Sequence, residues 1–244
     1  MTTSAELDST YEAFLRERRA QILGRVAEAC ARTGRDPSEV SAIAVSKTVD
    51  ARTVRLAHAA GWDAFGENRP QELVRKLAAL EGDPSMAGVT FDMIGNLQRN
   101  KVNQVIGRVR LIESVSSAQL AEVVSSHGVA RGLVSDVLLE VNVSGEASKS
   151  GFTPDGVRAA AEGLCALPGI RLRGLMTMAP AHDPSAARAT FGGLRELADD
   201  LRARTGLALG VLSCGMSDDF ELAVEEGSTL VRIGRYAFDQ AFGL

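Results

Sequence analysis

Three short stretches carry the residue types and spacing that could do chemistry. In "VSAIAVSKTVD", residues 40–50, an apolar run ends in an amine, Lys47. In "LSCGMSDD", residues 212–219, a strand-like run turns through Gly215, Met216 and Ser217 toward a helical pattern. In "VRIGR", residues 231–235, Arg232 and Arg235 flank Gly234. A deprotonated amine attacks carbonyl carbons. Exposed amides at a strand-to-helix turn bind anions, helped by the helix dipole. Arginine adds a permanent charge and a planar set of donors. These groups act together only if the fold gathers stretches almost 200 residues apart in a chain of 244.

The surrounding pattern supplies such a fold. Apolar and β-branched runs occur at 40–46, 64–66, 90–94, 111–114, 136–141, 170–175, 209–213 and 229–233. Helical patterns fall between them at 51–60, 67–81, 97–106, 117–131, 154–166, 184–205 and 218–226, with a last short one after Arg235. Strands joined through helices pair in parallel. Eight such units in about 210 residues predict an α/β protein with a single (β/α)8 TIM barrel. Leu7, Tyr11, Phe14, Leu15, Ile22, Val26 and Cys30 recur at helical spacing, so an extra N-terminal helix over 1–33 flanks the barrel. No linker-like shift in composition divides the chain, and 1–244 reads as one domain. The "RERR" of 16–19 reads as the solvated face of that first helix.

Barrel closure sets the first strand beside the eighth, and chemistry in this fold sits at the carboxyl ends of the strands. Lys47 then faces the mouth next to Arg232 and the last two loops. A neighbouring cation and partial burial favour the neutral amine. Ser217 either caps the following helix or ligates an anion, and Gly234 either makes a turn or lets an anion approach. Loops after the seventh and eighth strands of such barrels recurrently hold phosphate. An amine, an anion cradle and an arginine fit a phosphorylated aldehyde held as a Schiff base, of which pyridoxal 5′-phosphate is the commonest. Another phosphorylated small molecule is the alternative ligand.

Composition narrows the class. A net charge of −4 with scattered basic residues argues against nucleic-acid and anionic-membrane partners. Three dispersed cysteines (Cys30, Cys165, Cys214) fit thiols in a reducing cytoplasm. His58, His127 and His182 lack metal-ligand spacing, and no metal is expected. No segment approaches the roughly 20 apolar residues of a membrane span.

The motifs "AVSKT", "FGENRPQE", "IGNLQRNK", "VNVSGEASKSG", "GLMTMAP" and "CGMSDDFELAVEEGSTLVRIG" occur in that order between 40 and 234. Together they resemble the YggS/PROSC family of pyridoxal 5′-phosphate homeostasis proteins. The resemblance implies a barrel of the alanine racemase N-terminal-domain type carrying pyridoxal 5′-phosphate as an aldimine on Lys47. By motif, Asn68 lies near the phenolic oxygen, Met216, Ser217, Gly234 and Arg235 belong to the phosphate end, and Arg232 meets the pyridine nitrogen. The family binds, buffers and delivers the cofactor, so PLP-dependent apoenzymes are the implied recipients, without robust catalysis.

Two departures stand out. Asp92 occupies a place before "IG" where the family often has His. Arg235 stands where a Thr commonly offers a hydroxyl, and it either replaces that bond or points outward. A cation beside the pyridine nitrogen disfavours its protonation and hence carbanion chemistry. Racemases add a tyrosine from a further domain; here only Tyr11 and Tyr236 exist, Tyr236 near the mouth or packed in its helix. A weak amino-acid racemase is therefore the alternative activity, and a monomer the expected state. Glu146, Lys149 and Ser150 either meet a ligand or form a mobile loop. Lys149 or Lys101 is a candidate transient acceptor for transfer, and Met176 and Met178 are expected to pack the mouth.

Overall fold

A computed structural model of the chain describes residues 3–242. Helix α1 (Ser4–Thr33) comes first, opened by a reciprocal cap between Thr3 and Glu6 and closed by Gly34 at φ +70°. Eight strands follow: β1 (Ser41–Val45), β2 (Ala64–Glu67), β3 (Thr90–Met93), β4 (Leu111–Val115), β5 (Ser135–Glu140), β6 (Ile170–Met176), β7 (Val211–Ser213) and β8 (Leu230–Ile233). They form a closed barrel in sequence order. The ring closes through parallel pairing of β1 with β8, from Ser41↔Leu230 to Ala44↔Ile233.

The outer layer holds α2 (Ala51–Ala59), α3 (Pro70–Leu80), α4 (Ala118–Ala130), α5 (Pro154–Cys165), α6 (Pro184–Thr205), α7 (Phe220–Glu225) and the short α8 (Arg235–Phe238). Asp50, Ser117, Thr153 and Asp183 each accept an amide hydrogen bond at a helix start. The helix expected over 97–106 is instead a short 3-10 helix, Arg99–Gln104. That segment is short, and Asn100 and Asn103 are poor helix formers. The seventh strand begins at Val211 and not at 209, because Leu209 takes φ +39° and turns the chain.

Strand side chains alternate between two layers. Ile43, Leu111, Leu138, Met176 and Leu230 fill an inner cluster. Phe65, Phe91, Leu139, Leu175, Val231 and Ile233 join the larger layer packed under the helices. Burying each such side chain contributes about 1.5–3 kcal/mol before entropy is subtracted.

The first helix is tied to the end of the barrel by cations and rings. Arg16 is exposed as expected, but Arg18 is not part of a solvated face. Arg18 is 8% exposed; its guanidinium lies 5.0 Å from the Phe14 ring and 5.3 Å from Tyr236, and it donates to the Phe242 carbonyl at 2.6 Å. An aliphatic stem and a planar, weakly hydrated head let arginine cover aromatic surface. Arg25 donates to the Tyr236 hydroxyl at 2.9 Å and pairs with Glu221. The Tyr11 hydroxyl donates to the Phe238 carbonyl at 2.8 Å.

Gly174 marks where β6 and β7 touch most closely: a Cβ there would lie 1.7 Å from the Val211 carbonyl oxygen. Gly174→Ala is expected to destabilise the fold by at least about 2 kcal/mol, because backbone must move. Gly163→Ala on α5, where a Cβ meets nothing within 4 Å, is expected to stabilise by about 0.5–1 kcal/mol. Urea denaturation of the two variants checks both signs.

Candidate functional site

The site is assembled at the carboxyl ends of neighbouring strands. The parity that places Ile43 in the inner cluster continues through Val45 to Lys47. The Lys47 side chain is exposed and makes no hydrogen bond or ion pair with the described residues. The partial burial expected from the sequence is therefore absent, since Lys47 stands above the strand and not within it.

Ser46 faces the other way and anchors the peptide next to Lys47. Its hydroxyl donates to Glu67 Oε1 at 2.6 Å, and its carbonyl accepts from Lys76 Nζ at 2.5 Å. Lys76, from α3, also pairs with Glu67; the two side chains are 2% and 0% exposed. Nothing in a sequence scan joins Ser46, Glu67 and Lys76, because their contact depends on α3 packing over β1 and β2.

Asn68 follows Glu67. A Cβ on Gly95 would lie 2.2 Å from the Asn68 carbonyl oxygen, so the loops after β2 and β3 meet backbone to backbone. Asn68, Arg69, Asn96, Gln98 and Lys101 line a polar cavity of about 240 Å³.

The loops after β7 and β8 are held open by different means. Gly215 takes φ +91°, and a Cβ there would lie 2.6 Å from Ala223 Cβ. Asp219 accepts the Met216 amide at 2.6 Å, and burial raises its pKa. Asp219, not Ser217, occupies the cap position of α7. Ser217 instead accepts the Tyr236 amide at 3.3 Å, bridging to α8, because the loop runs two residues further before turning helical. Among the described residues, the amides of Ser217, Asp218, Gly234 and Arg235 find no protein acceptor. Val45 lies against Gly234, 3.5 Å from where a Cβ would stand, which brings this amide cluster beside the end of β1. Arg235 is exposed, pairs with Asp218 and stacks on Phe242 at 4.8 Å.

Arg232 is buried inside the barrel, 4% exposed. It donates to Ser213 Oγ and, at 3.1 Å, to the Thr177 carbonyl. Ser213 in turn donates to Glu113 Oε2 at 2.5 Å. Burial pushes the Glu113 carboxyl up to about 7, against the lowering effect of Arg232. Burial also raises Glu140, 4% exposed on the same inner face. Asp92, the departure noted above, is gripped by both Arg110 donors, with Nε at 2.9 Å from Oδ1. These inner carboxyls were legible only as charges on the lumen parity of strands, a signal the apolar-run reading passes over.

The loop after β5 is stitched, not loose. Asn142 donates to the carbonyls of Glu146 and Lys149 at 2.8 and 3.2 Å and accepts the Gly145 amide at 3.0 Å. Lys149 pairs with Glu146 and donates to the Met178 carbonyl at 3.1 Å. Met176 packs in the inner cluster, whereas Met178 is 36% exposed on the rim, contrary to the paired packing expected. Tyr236 is buried among rings and cations away from the mouth.

Comparison with known proteins decides the lineage. The alanine racemase N-terminal domain pattern matches residues 22–240. A pyridoxal phosphate homeostasis protein of Pseudomonas aeruginosa is 44% identical over 220 residues, covering 90% of this chain and 92% of that one. One from Aquifex aeolicus is 39% identical over 225 residues, with 92% and 97% covered. The chain belongs to the pyridoxal phosphate homeostasis protein family. Among solved structures, the family member PipY of Synechococcus elongatus, with PLP bound, is 35% identical and superposes with a TM-score of 0.80, covering 92% of this chain and 99% of that one. Alanine racemase of Clostridium difficile, 15% identical with a TM-score of 0.69 over 91% of this chain and 56% of its own, shares the fold.

The buried Lys76–Glu67 pair behind Lys47 gives a test of its own. Lys76→Met leaves an uncompensated buried carboxylate and is expected to cost about 3–5 kcal/mol. Lys76→Met combined with Glu67→Gln is expected to recover most of that loss. Guanidinium denaturation of both variants measures the difference.

Proposed function

We propose that the protein binds pyridoxal 5′-phosphate and serves its homeostasis by holding and releasing the cofactor. Lys47 is the covalent partner, its Nζ bonding to the aldehyde carbon as a Schiff base with loss of water. One observation carries this reading. On three consecutive strands of the ring, β7, β8 and β1, the structure gathers four unengaged amides, a buried arginine and an unpaired amine. The donor set fits the ligand: amides and the Ser217 hydroxyl for the phosphate, a guanidinium of fixed charge for the pyridine edge, an amine for the aldehyde. The PLP-bound PipY supports the same ligand in a relative.

Each residue then has a part. Ser217 Oγ already accepts a backbone amide, which leaves its proton available to donate to an anion. Arg232 keeps donors in reserve, because only two of the five N–H groups of a guanidinium are engaged by Ser213 and Thr177. Asn68 edges the mouth after β2, on the other side of β1 from β8, toward the phenolic oxygen. Met216 shapes the rim with its 40% exposed side chain. Arg235, committed to Asp218, contributes its amide more directly than its charge.

Binding without turnover is part of the proposal. Cationic Arg232 disfavours a protonated ring nitrogen, and neither tyrosine reaches the mouth to act as an acid or base. A single-domain monomer handing its cofactor to PLP-dependent apoenzymes completes the picture. The racemase alternative draws on fold likeness alone.

Borohydride reduction of the PLP-loaded protein followed by peptide mapping is expected to place the adduct on Lys47, with the visible band lost in Lys47→Ala. An adduct mapped elsewhere in the wild-type chain defeats the assignment. Ser217→Ala is expected to weaken retention by about 1.5 kcal/mol, roughly tenfold. Amino-acid enantiomer ratios should stay unchanged on prolonged incubation; steady inversion would make the protein an enzyme.

A further inference from the structure

Below the mouth, the lumen holds an ionisable cluster that the binding groups do not account for. Asp92 on β3 and Glu113 on β4 are both 0% exposed. Asp92 pairs in register with Leu111, two residues before Glu113 on the same lumen face, so the two carboxyls are neighbours on adjacent strands, and burial raises the pKa of each. Arg110, just before β4, holds Asp92 with two donors, which favours its ionised form, so a proton taken up by this pair of acids goes chiefly to Glu113. Glu113 Oε2 accepts from Ser213 and lies 3.8 Å from Arg232 Nη1, while its Oε1 has no donor among the described residues. Glu140 on β5 is the remaining acid of this face. From β1, β2 and β6 the lumen receives Ile43, Ala64 and Met176, which do not titrate.

We propose that the Asp92–Glu113 pair is a proton-holding site and Glu113 a positioning residue for Arg232, so that capture of an anionic pyridine phosphate at the mouth is linked to proton uptake by the pair. This deepens the proposed function and rests on it. The path is short: Arg232 donates to Ser213, and Ser213 donates to Glu113. When Glu113 is ionised, it draws the guanidinium downward and offsets its charge. When Glu113 is protonated, that offset is lost and Arg232 presents more of its field to an anion above. An arriving anion in turn disfavours a second negative charge beneath it, so binding raises the proton affinity of Glu113. By linkage, affinity falls as pH rises through neutrality. The neutral-range titration of Glu113 puts this within reach of measurement.

Pyridoxine 5′-phosphate is the suitable probe, because its alcohol cannot react with Lys47. Titration calorimetry from pH 6 to 8.5, in buffers of different ionisation enthalpy, reads both affinity and protons taken up. The ligand's own ionisations are common to all proteins compared. Wild-type affinity is expected to drop about tenfold more over this range than that of Glu113→Gln, the amount set by a one-unit shift. The excess proton uptake should vanish in that variant. Ser213→Ala removes a hydrogen bond that favours ionised Glu113, so the midpoint of uptake should move to higher pH. That variant also decides the matter if Glu113→Gln does not fold. Coincident wild-type and Glu113→Gln profiles, or a Ser213→Ala midpoint that stays in place, overturn the linkage and leave the cofactor reading standing. Failure of the wild-type protein to bind the probe or pyridoxal 5′-phosphate overturns both.

Discussion

In a closed ring of parallel strands, each side chain has two directions available: into the lumen or under the helices. That constraint decides which groups of this chain meet. On β1, Ile43 faces inward, and the same parity carries Lys47 to the mouth while Ser46 turns toward α3. A one-residue slip of β1 would send Lys47 under the helices and Ser46 to the lumen, and a slip of β2 would do the same to Glu67. The Ser46–Glu67–Lys76 contacts oppose that slip. A buried ion pair adds little net stability once its desolvation is counted. Breaking it by misregister, however, strands two charges without partners, so its main consequence here is to make one register much better than its neighbours.

The lumen obeys the same logic with opposite chemistry. An arginine in the interior of a barrel is costly unless its donors are met. Arg232 meets that demand through Ser213, Thr177 and the nearby Glu113. Two guanidinia, Arg110 and Arg232, face three carboxyls, Asp92, Glu113 and Glu140. One bound proton brings that set to neutrality, and burial raises the pKa of all three acids as such a balance requires. Asp92 is thus not an isolated charge. Its charge is matched by Arg110, and its neighbour Glu113 extends the carboxyl surface to the arginine that closes the site from below.

The strands and most helices were legible because alternating apolar runs and cap residues are local signals. Lys47, Ser217 and Gly234 stood out as candidates because each follows a strand in a fold whose strand ends carry function. The misses share a cause. Arg18 looked solvated because its neighbours in sequence are charged, yet its partners are Phe14 on the same helix and Tyr236 and Phe242 over 200 residues away. Ser217 looked like a cap for α7 because distance along the chain cannot tell which of two helix starts a hydroxyl serves. Lys76, Glu67 and Glu113 found their partners only through packing of separate strands and helices. Parity alone could have flagged Asp92, Glu113 and Glu140, three charges on the lumen face of three strands, alongside Arg232, which the sequence already singled out.

How the acids and tyrosines near the mouth are used bears on what the site can do. Proton-transfer catalysis needs a group with an open coordination side within reach of the reacting atom. Asp219 is occupied by the Met216 amide, Asp218 by Arg235 and Glu146 by Lys149. Tyr11 and Tyr236 serve the seam between α1 and α8. Among the described residues of the β7, β8 and β1 ends, the uncommitted groups include the backbone amides of Ser217, Asp218, Gly234 and Arg235 and the Lys47 amine. Such a set binds an anionic aldehyde and offers little to a carbon acid, so under the proposed function the chemistry of the rim favours holding over turnover. The exposed position of Lys47 is in keeping with that proposal: water would reach a Schiff base formed there, and its hydrolysis would release the aldehyde.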